Sequence, residues 1–149
     1  MSDILIRGAR QSEAGDVISL LDRSWRSHWA PHLEAAALGR YESVRPVESY
    51  VSAYLEHFRI AERAGVVVGL YHLDAPHLHA IHVDSWAIGT GVGGAMMDAA
   101  ESEGAGRLEV RSFNMRARQF YRSRGWVEVD EYEDDEMGQM VRTIAMERL

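Results

Sequence analysis

Val83-Asp84-Ser85-Trp86-Ala87-Ile88-Gly89-Thr90-Gly91-Val92-Gly93-Gly94-Ala95-Met96-Met97 closes one apolar run and opens another. Glycines at 89, 91, 93 and 94 separate the two. Val92, Ala95, Met96, Ala99 and Ala100 then recur at helical spacing, which sets the glycines at a helix N-terminus. First-turn amides there lack intrahelical partners, and the helix dipole adds positive potential; both favour a phosphate. Glycine allows the close backbone approach that side chains would block. The loop reads as the grip on a phosphorylated cofactor.

Two other phosphate motifs do not fit. A P-loop ends in Gly-Lys-Ser/Thr, and this chain has no lysine. A dinucleotide fingerprint belongs to a first strand–helix unit, with an acidic ribose ligand about twenty residues on. Here the loop lies past mid-chain, and Glu109 falls inside an expected strand.

The 149 residues read as a single domain, 1–149, long enough to bury a core. No apolar run is long enough for a membrane span, and the acidic-polar opening is no signal peptide. With no cysteine there is no disulfide framework, thiolate metal site or thiol nucleophile. The expected setting is the cytoplasm. A net charge of −7 argues against nucleic acid as a partner. The charges are uneven: arginines cluster at 107–124, and carboxylates crowd 128–136.

Outward from the glycine loop, period-2 runs predict strands at Ile4–Arg7, Arg59–Arg63, Val66–Leu73, His77–Val83 and Leu108–Val110. Trp126–Tyr132 and Val141–Glu147 close the chain around an acidic, Gly138-containing connection. Ser12 is a plausible N-cap for a helix to about Trp25, and Pro46 suits the first turn of another. The stretch from Trp25 to Tyr41 reads as irregular or partly helical. Asn114 caps a further helix that Gly125 ends. The order is strand, two helices, three strands, helix, strand, helix, two strands, which implies a mixed sheet with helices on both faces.

These residues resemble the GNAT superfamily of acetyl-CoA-dependent N-acetyltransferases. Its cofactor motif, Arg/Gln-x-x-Gly-x-Gly/Ala, is matched in place by Ile88-Gly89-Thr90-Gly91-Val92-Gly93. Its second motif is similar to Asn114, Ala117, Phe120-Tyr121 and Gly125-Trp126. One departure is plain: Ile88 stands where the family has Arg or Gln. The resemblance implies an α+β fold: a single-domain acyl-CoA N-acyltransferase with a mixed, mostly antiparallel sheet of about seven strands. It implies acetyl-CoA as cofactor, held by Ile81, Val83, Ile88, Gly89, Thr90, Gly91, Val92, Gly93, Gly94, Asn114 and Tyr121. It also implies a small-molecule or peptide amine as acceptor. His77-Leu78-His79-Ala80 is similar to the strand before the cofactor loop in arylalkylamine N-acetyltransferases, where paired histidines serve the general base.

Acetyl transfer to an amine needs a proton acceptor, a polarised carbonyl and a donor for the departing thiolate. His77 and His79 share one face of a strand, and imidazole titrates near neutrality. His79, nearer the loop, is the preferred base; strict alternation sends His82 to the other face. Tyr121 is the candidate acid, and a backbone N–H of Ile81 or Val83 would polarise the carbonyl. Each of these side chains has a plain packing alternative. No clear third ligand joins His77 and His79, so no metal is expected. The competing functional class is an acyl-CoA-binding sensor with the same fold and little turnover. The exposed closing strands would permit a homodimer.

Overall fold

The computed structural model describes residues 3–149. Seven strands form one sheet: β1 Ile4–Gly8, β2 Phe58–Arg63, β3 Val66–Asp74, β4 His77–Val83, β5 Arg107–Arg111, β6 Trp126–Glu136 and β7 Gln139–Arg148. Their spatial order is β1-β2-β3-β4-β5-β7-β6. All neighbours are antiparallel except β4 and β5. Helices α1 Ala14–His28, α2 Ala35–Val44 and α3 Pro46–Tyr54 precede β2; α4 Val92–Ser102 and α5 Met115–Ser123 flank β5.

The sheet is covered on both faces, as its apolar pattern requires. On one side Val17, Leu20 and Leu21 of α1 and Val51 of α3 pack on Phe58, Ile60 and Leu70. On the other, Met96, Met97 and Ala100 of α4 and Tyr121 of α5 meet Val68, Tyr71, Leu108, Trp126 and Ile144. Gly69 sets how closely α4 lies on the sheet. A Cβ there would meet the His82 carbonyl oxygen and Met96 Cε, each at 2.8 Å.

Three local expectations need correction. Ser12 does not cap α1; it lies in a single 3-10 turn, and the helix begins at Ala14. Glu13 fixes that turn instead, accepting the Arg10 N–H at 2.8 Å and the Arg7 guanidinium at 2.6 Å. The stretch expected to be irregular holds the end of α1 and all of α2. Ala35-Ala36-Ala37-Leu38 is a strong helix-forming run, and Tyr41, one turn past Ala37, stacks on Trp25 at 3.7 Å between ring centroids. The acidic residues past Tyr132, expected in the connection, are strand as far as Glu136. Met137 and Gly138 alone make the turn, both at positive φ (51° and 82°), so a two-residue hairpin lets β6 run on to Glu136. Arg142 on β7 then pairs across to Glu131 and Glu133.

The parallel seam positions the site. β4 and β5 share a single register pair, His77 with Arg107. Beyond it the two strands part: β5 stays with β7, while β4 continues to Val83 with β3 alone. The gap between them is the cleft.

Candidate active site

Two cavities meet in this cleft. The larger, of 480 Å³, has the glycine loop as one wall, with Ile88, Gly89, Gly91, Gly93 and Gly94. Ile81, His82 and Val83 of β4 form its floor, and Asn114, Arg116, Phe120 and Tyr121 of α5 face the loop. Ser24 and His28 of α1 and Trp29 at its C-cap close it. Gly89 and Gly91 adopt positive φ (82° and 95°), which turns the chain sharply into α4 and explains glycine at both. Asp84 braces the approach, accepting the Ser85 N–H at 2.9 Å and pairing with Arg23 at 2.6 Å.

Two residues expected in the cofactor grip stand outside the lining. Thr90 turns its hydroxyl away, donating to the Ala87 carbonyl at 2.5 Å and accepting from Arg63 at 2.8 Å. Val92 is fully buried in the core. Asn114 does cap α5, its side-chain oxygen accepting the Ala117 N–H at 3.3 Å.

Sequence reading gave Arg116 no place of its own among the arginines of α5. Its Nη2 lies 3.6 Å from where a Gly89 Cβ would stand, so the guanidinium hangs over the glycine loop. The fold thus brings a cation to the loop from α5, where Ile88 supplies none. The only signal in the sequence is its position two residues past the Asn114 cap, in the first turn of the helix.

The smaller cavity, of 310 Å³, continues past Tyr121. Leu78, His79 and Ala80 of β4, Glu109 and Arg111 of β5, and Asp134 and Glu136 of β6 line it. Ile81, His82, Asn114, Ala117, Tyr121 and Trp29 belong to both cavities and form the junction.

The histidines are arranged differently from strict alternation. Between β3 and β4 the register shifts, His72 opposing Ala80 and Leu73 opposing Leu78, so His79 is a bulge residue. A bulge inserts one residue and flips the alternation beyond it. His77 and His79 still lie together, 4.2 Å between ring centroids, but His82 now shares their face. His82 opposes Leu70, which packs under α1, and its Nδ1 lies 2.8 Å from Ser24 Oγ. The assignment of His82 to the opposite face is therefore wrong, and the bulge is the reason.

Electrostatics separates these rings. Burial, then the neighbouring His28, pushes His82 down to about 4, so it is neutral near pH 7. His79 is lowered by burial and then by His77. His77 lies outside both cavities, its Nε2 2.7 Å from Glu109 Oε1. His28 Nε2 is buried without a hydrogen-bond partner among the described residues. Burial raises the Tyr121 phenol above the ordinary tyrosine range, so it keeps its proton.

The family of this arrangement is settled by a sequence match. Residues 34–148 match the model of the acetyltransferase (GNAT) domain. The chain is a GNAT acetyltransferase. No curated protein matches it in a sequence search. Solved structures share the GNAT fold along its whole length. The apo form of YjaB from Escherichia coli is 23% identical, with 99% of this chain and 98% of that one covered at a TM-score of 0.80. A GCN5-related N-acetyltransferase from Rhodopseudomonas palustris is 24% identical, with coverage of 99% and 96% and a TM-score of 0.78. PaiA N-acetyltransferase from Thermoplasma acidophilum, solved in complex with coenzyme A, is 16% identical, covered 99% in both chains, with a TM-score of 0.75. GNAT acetyltransferases use acetyl-CoA, and the larger cavity suits it: a glycine cradle without side chains, a helix N-terminus and an overhanging guanidinium. Among the described residues no helix is long and apolar enough to cross a membrane.

Proposed function

We propose that the chain moves an acetyl group from acetyl-CoA to a primary amine by direct attack, with both substrates bound at once. The observation that carries this reading is the junction at Ile81, His82 and Tyr121, where the cavity at the glycine loop meets a second one. Bound acetyl-CoA supplies an activated acetyl thioester. A neutral amine is an adequate nucleophile, so no covalent intermediate on the protein is required.

Each role falls to a residue already placed. The backbone amides of 89–94, including those of Thr90 and Val92, hold the pyrophosphate, and Asn114 fixes the start of α5 opposite them. Among the described residues β4 beyond His77 has no strand partner on its β5 side, so an N–H of Ile81 or Val83 is available to polarise the acetyl carbonyl. His79 takes the ammonium proton, directly or through water; its lowered pKa leaves it neutral, the form that accepts. His77, held by Glu109 and adjacent to His79, is the next stop for that proton. Tyr121 donates to the departing sulfur.

Arg116 takes the part of the cation missing at position 88. Arg116→Ala is expected to weaken acetyl-CoA binding about tenfold, a charge-assisted hydrogen bond's worth. The difference from the unmodified protein shrinks as salt is raised, and calorimetric titration at two ionic strengths reads it.

The test of the function is coenzyme A release with acetyl-CoA across a panel of amines, beside calorimetric binding. Binding with amine-dependent release is expected. Tight binding with no release on any amine would favour the acyl-CoA sensor instead.

A further inference from the structure

The walls of the smaller cavity select among amines. Resting on the transferase reading above, we propose that the acceptor is a small aliphatic diamine or polyamine: an amine with a second ammonium and no carboxylate.

Three carboxylates face this cavity, Glu109 from β5 and Asp134 and Glu136 from β6. Among the described residues Arg111 is the one arginine lining it, and it is already paired. Its guanidinium donates to Glu136 Oε1 at 3.1 Å, Asp134 Oδ2 at 3.3 Å, Thr143 Oγ1 at 2.6 Å and the Asp135 carbonyl at 3.0 Å. Arg111 thus serves as a strut between β5 and β6, its charge already met by Asp134 and Glu136 and four of its five N–H donors engaged. Glu136 is held from its other oxygen by the Trp25 indole N–H at 3.2 Å. His79, lowered by burial and by His77, adds no charge near neutrality. The lining is therefore net negative.

An amino acid entering the cavity would bring a carboxylate toward three others and find no free cation, an arrangement that costs affinity. A diamine has the opposite fit. One nitrogen reaches the junction at Tyr121, its methylenes lie along Leu78, Leu108 and Val110, and its second ammonium meets Asp134 and Glu136. A carboxylate accepts more hydrogen bonds than Arg111 uses, so both keep capacity for the ligand. The carboxylates of β6 continue outward along the exposed strand and draw cations toward the opening.

The experiment compares kcat/KM for coenzyme A release with putrescine, cadaverine and spermidine against butylamine, free lysine and a lysine-rich peptide. The diamines are expected to exceed the chain-matched monoamine by about tenfold or more, the worth of one charge-assisted contact. That ratio should fall at high salt and fall again in Asp134→Asn and Glu136→Gln. Asp134 is half-exposed, so its variant tests the ratio even if the Glu136 variant folds poorly. A monoamine, lysine or the peptide used as well as the diamines overturns the diamine proposal and leaves the transferase standing. So does a preference that ignores both salt and the substitutions. Acetyl-CoA binding with no release on any of these amines overturns both readings together.

Discussion

Tyr121→Phe is expected to lower kcat about a hundredfold while acetyl-CoA binding stays unchanged, the usual scale for losing a general acid. The ring is 7% exposed, and packing against Phe120 and Trp126, at 5.7 and 6.4 Å between centroids, is retained by phenylalanine. Only the hydroxyl goes. Burial raises the phenol's pKa, which at first sight makes it a poor donor to a thiol whose pKa is about 8.5 in water. A thiolate forming against the same apolar walls is raised by the same desolvation, so donor and acceptor move together. Because the folded-state pKa is raised, the protonated form persists through neutral pH and is lost only well into the alkaline range. No alkaline limb from Tyr121 should therefore cut kcat near neutrality. Single-turnover kinetics with calorimetry separates the outcomes. An unchanged kcat would hand the proton to water; a matching loss of binding would make the hydroxyl part of the cofactor grip.

Trp126→Ala is expected to cost about 3–5 kcal/mol, the range for deleting a buried indole. Trp126 is 2% exposed, opens β6 against the end of β7, and donates its Nε1–H to Glu101 at 2.9 Å. Its removal leaves a cavity under Tyr121 and takes one donor from a carboxylate that Arg124 continues to hold at 3.1 Å. With ordinary domains stable by about 5–15 kcal/mol, that is a large share of the total. Urea denaturation should show a lower midpoint at an unchanged slope. Trp126→Phe, which refills most of the volume without the donor, should fall between. A loss under about 1 kcal/mol for the alanine variant would mean that α5 and β6 collapse onto the space.

The parts of this site legible in the sequence are those set by local backbone chemistry. The glycine loop, the Asn114 cap, Pro46 at a helix start and Gly125 after a helix end are each dictated by a residue and its neighbours. What escaped is long-range. The bulge at His79 is a property of the β3–β4 pairing and leaves no mark in β4 itself, so period-2 reasoning put His82 on the wrong face. Arg116 looks like any arginine on an amphipathic helix until α5 is laid across the glycine loop. The acidic residues past Tyr132 read as connection because Asp and Glu disfavour strands. A two-residue turn and pairing with Arg142 hold them extended all the same.

The order of the sheet leaves β6 as one of its two margins, and ten of its eleven residues are not buried. Unpaired strand margins invite a neighbouring chain to continue the sheet, the first step toward fibrous aggregates. Here two copies meeting along β6 would set carboxylate against carboxylate through Glu128, Asp130, Glu131, Glu133, Asp134 and Asp135. Any homodimer is therefore better sought on another surface. The charged margin thus works against extension of the sheet by a second copy, a safeguard placed on the strand that most needs one.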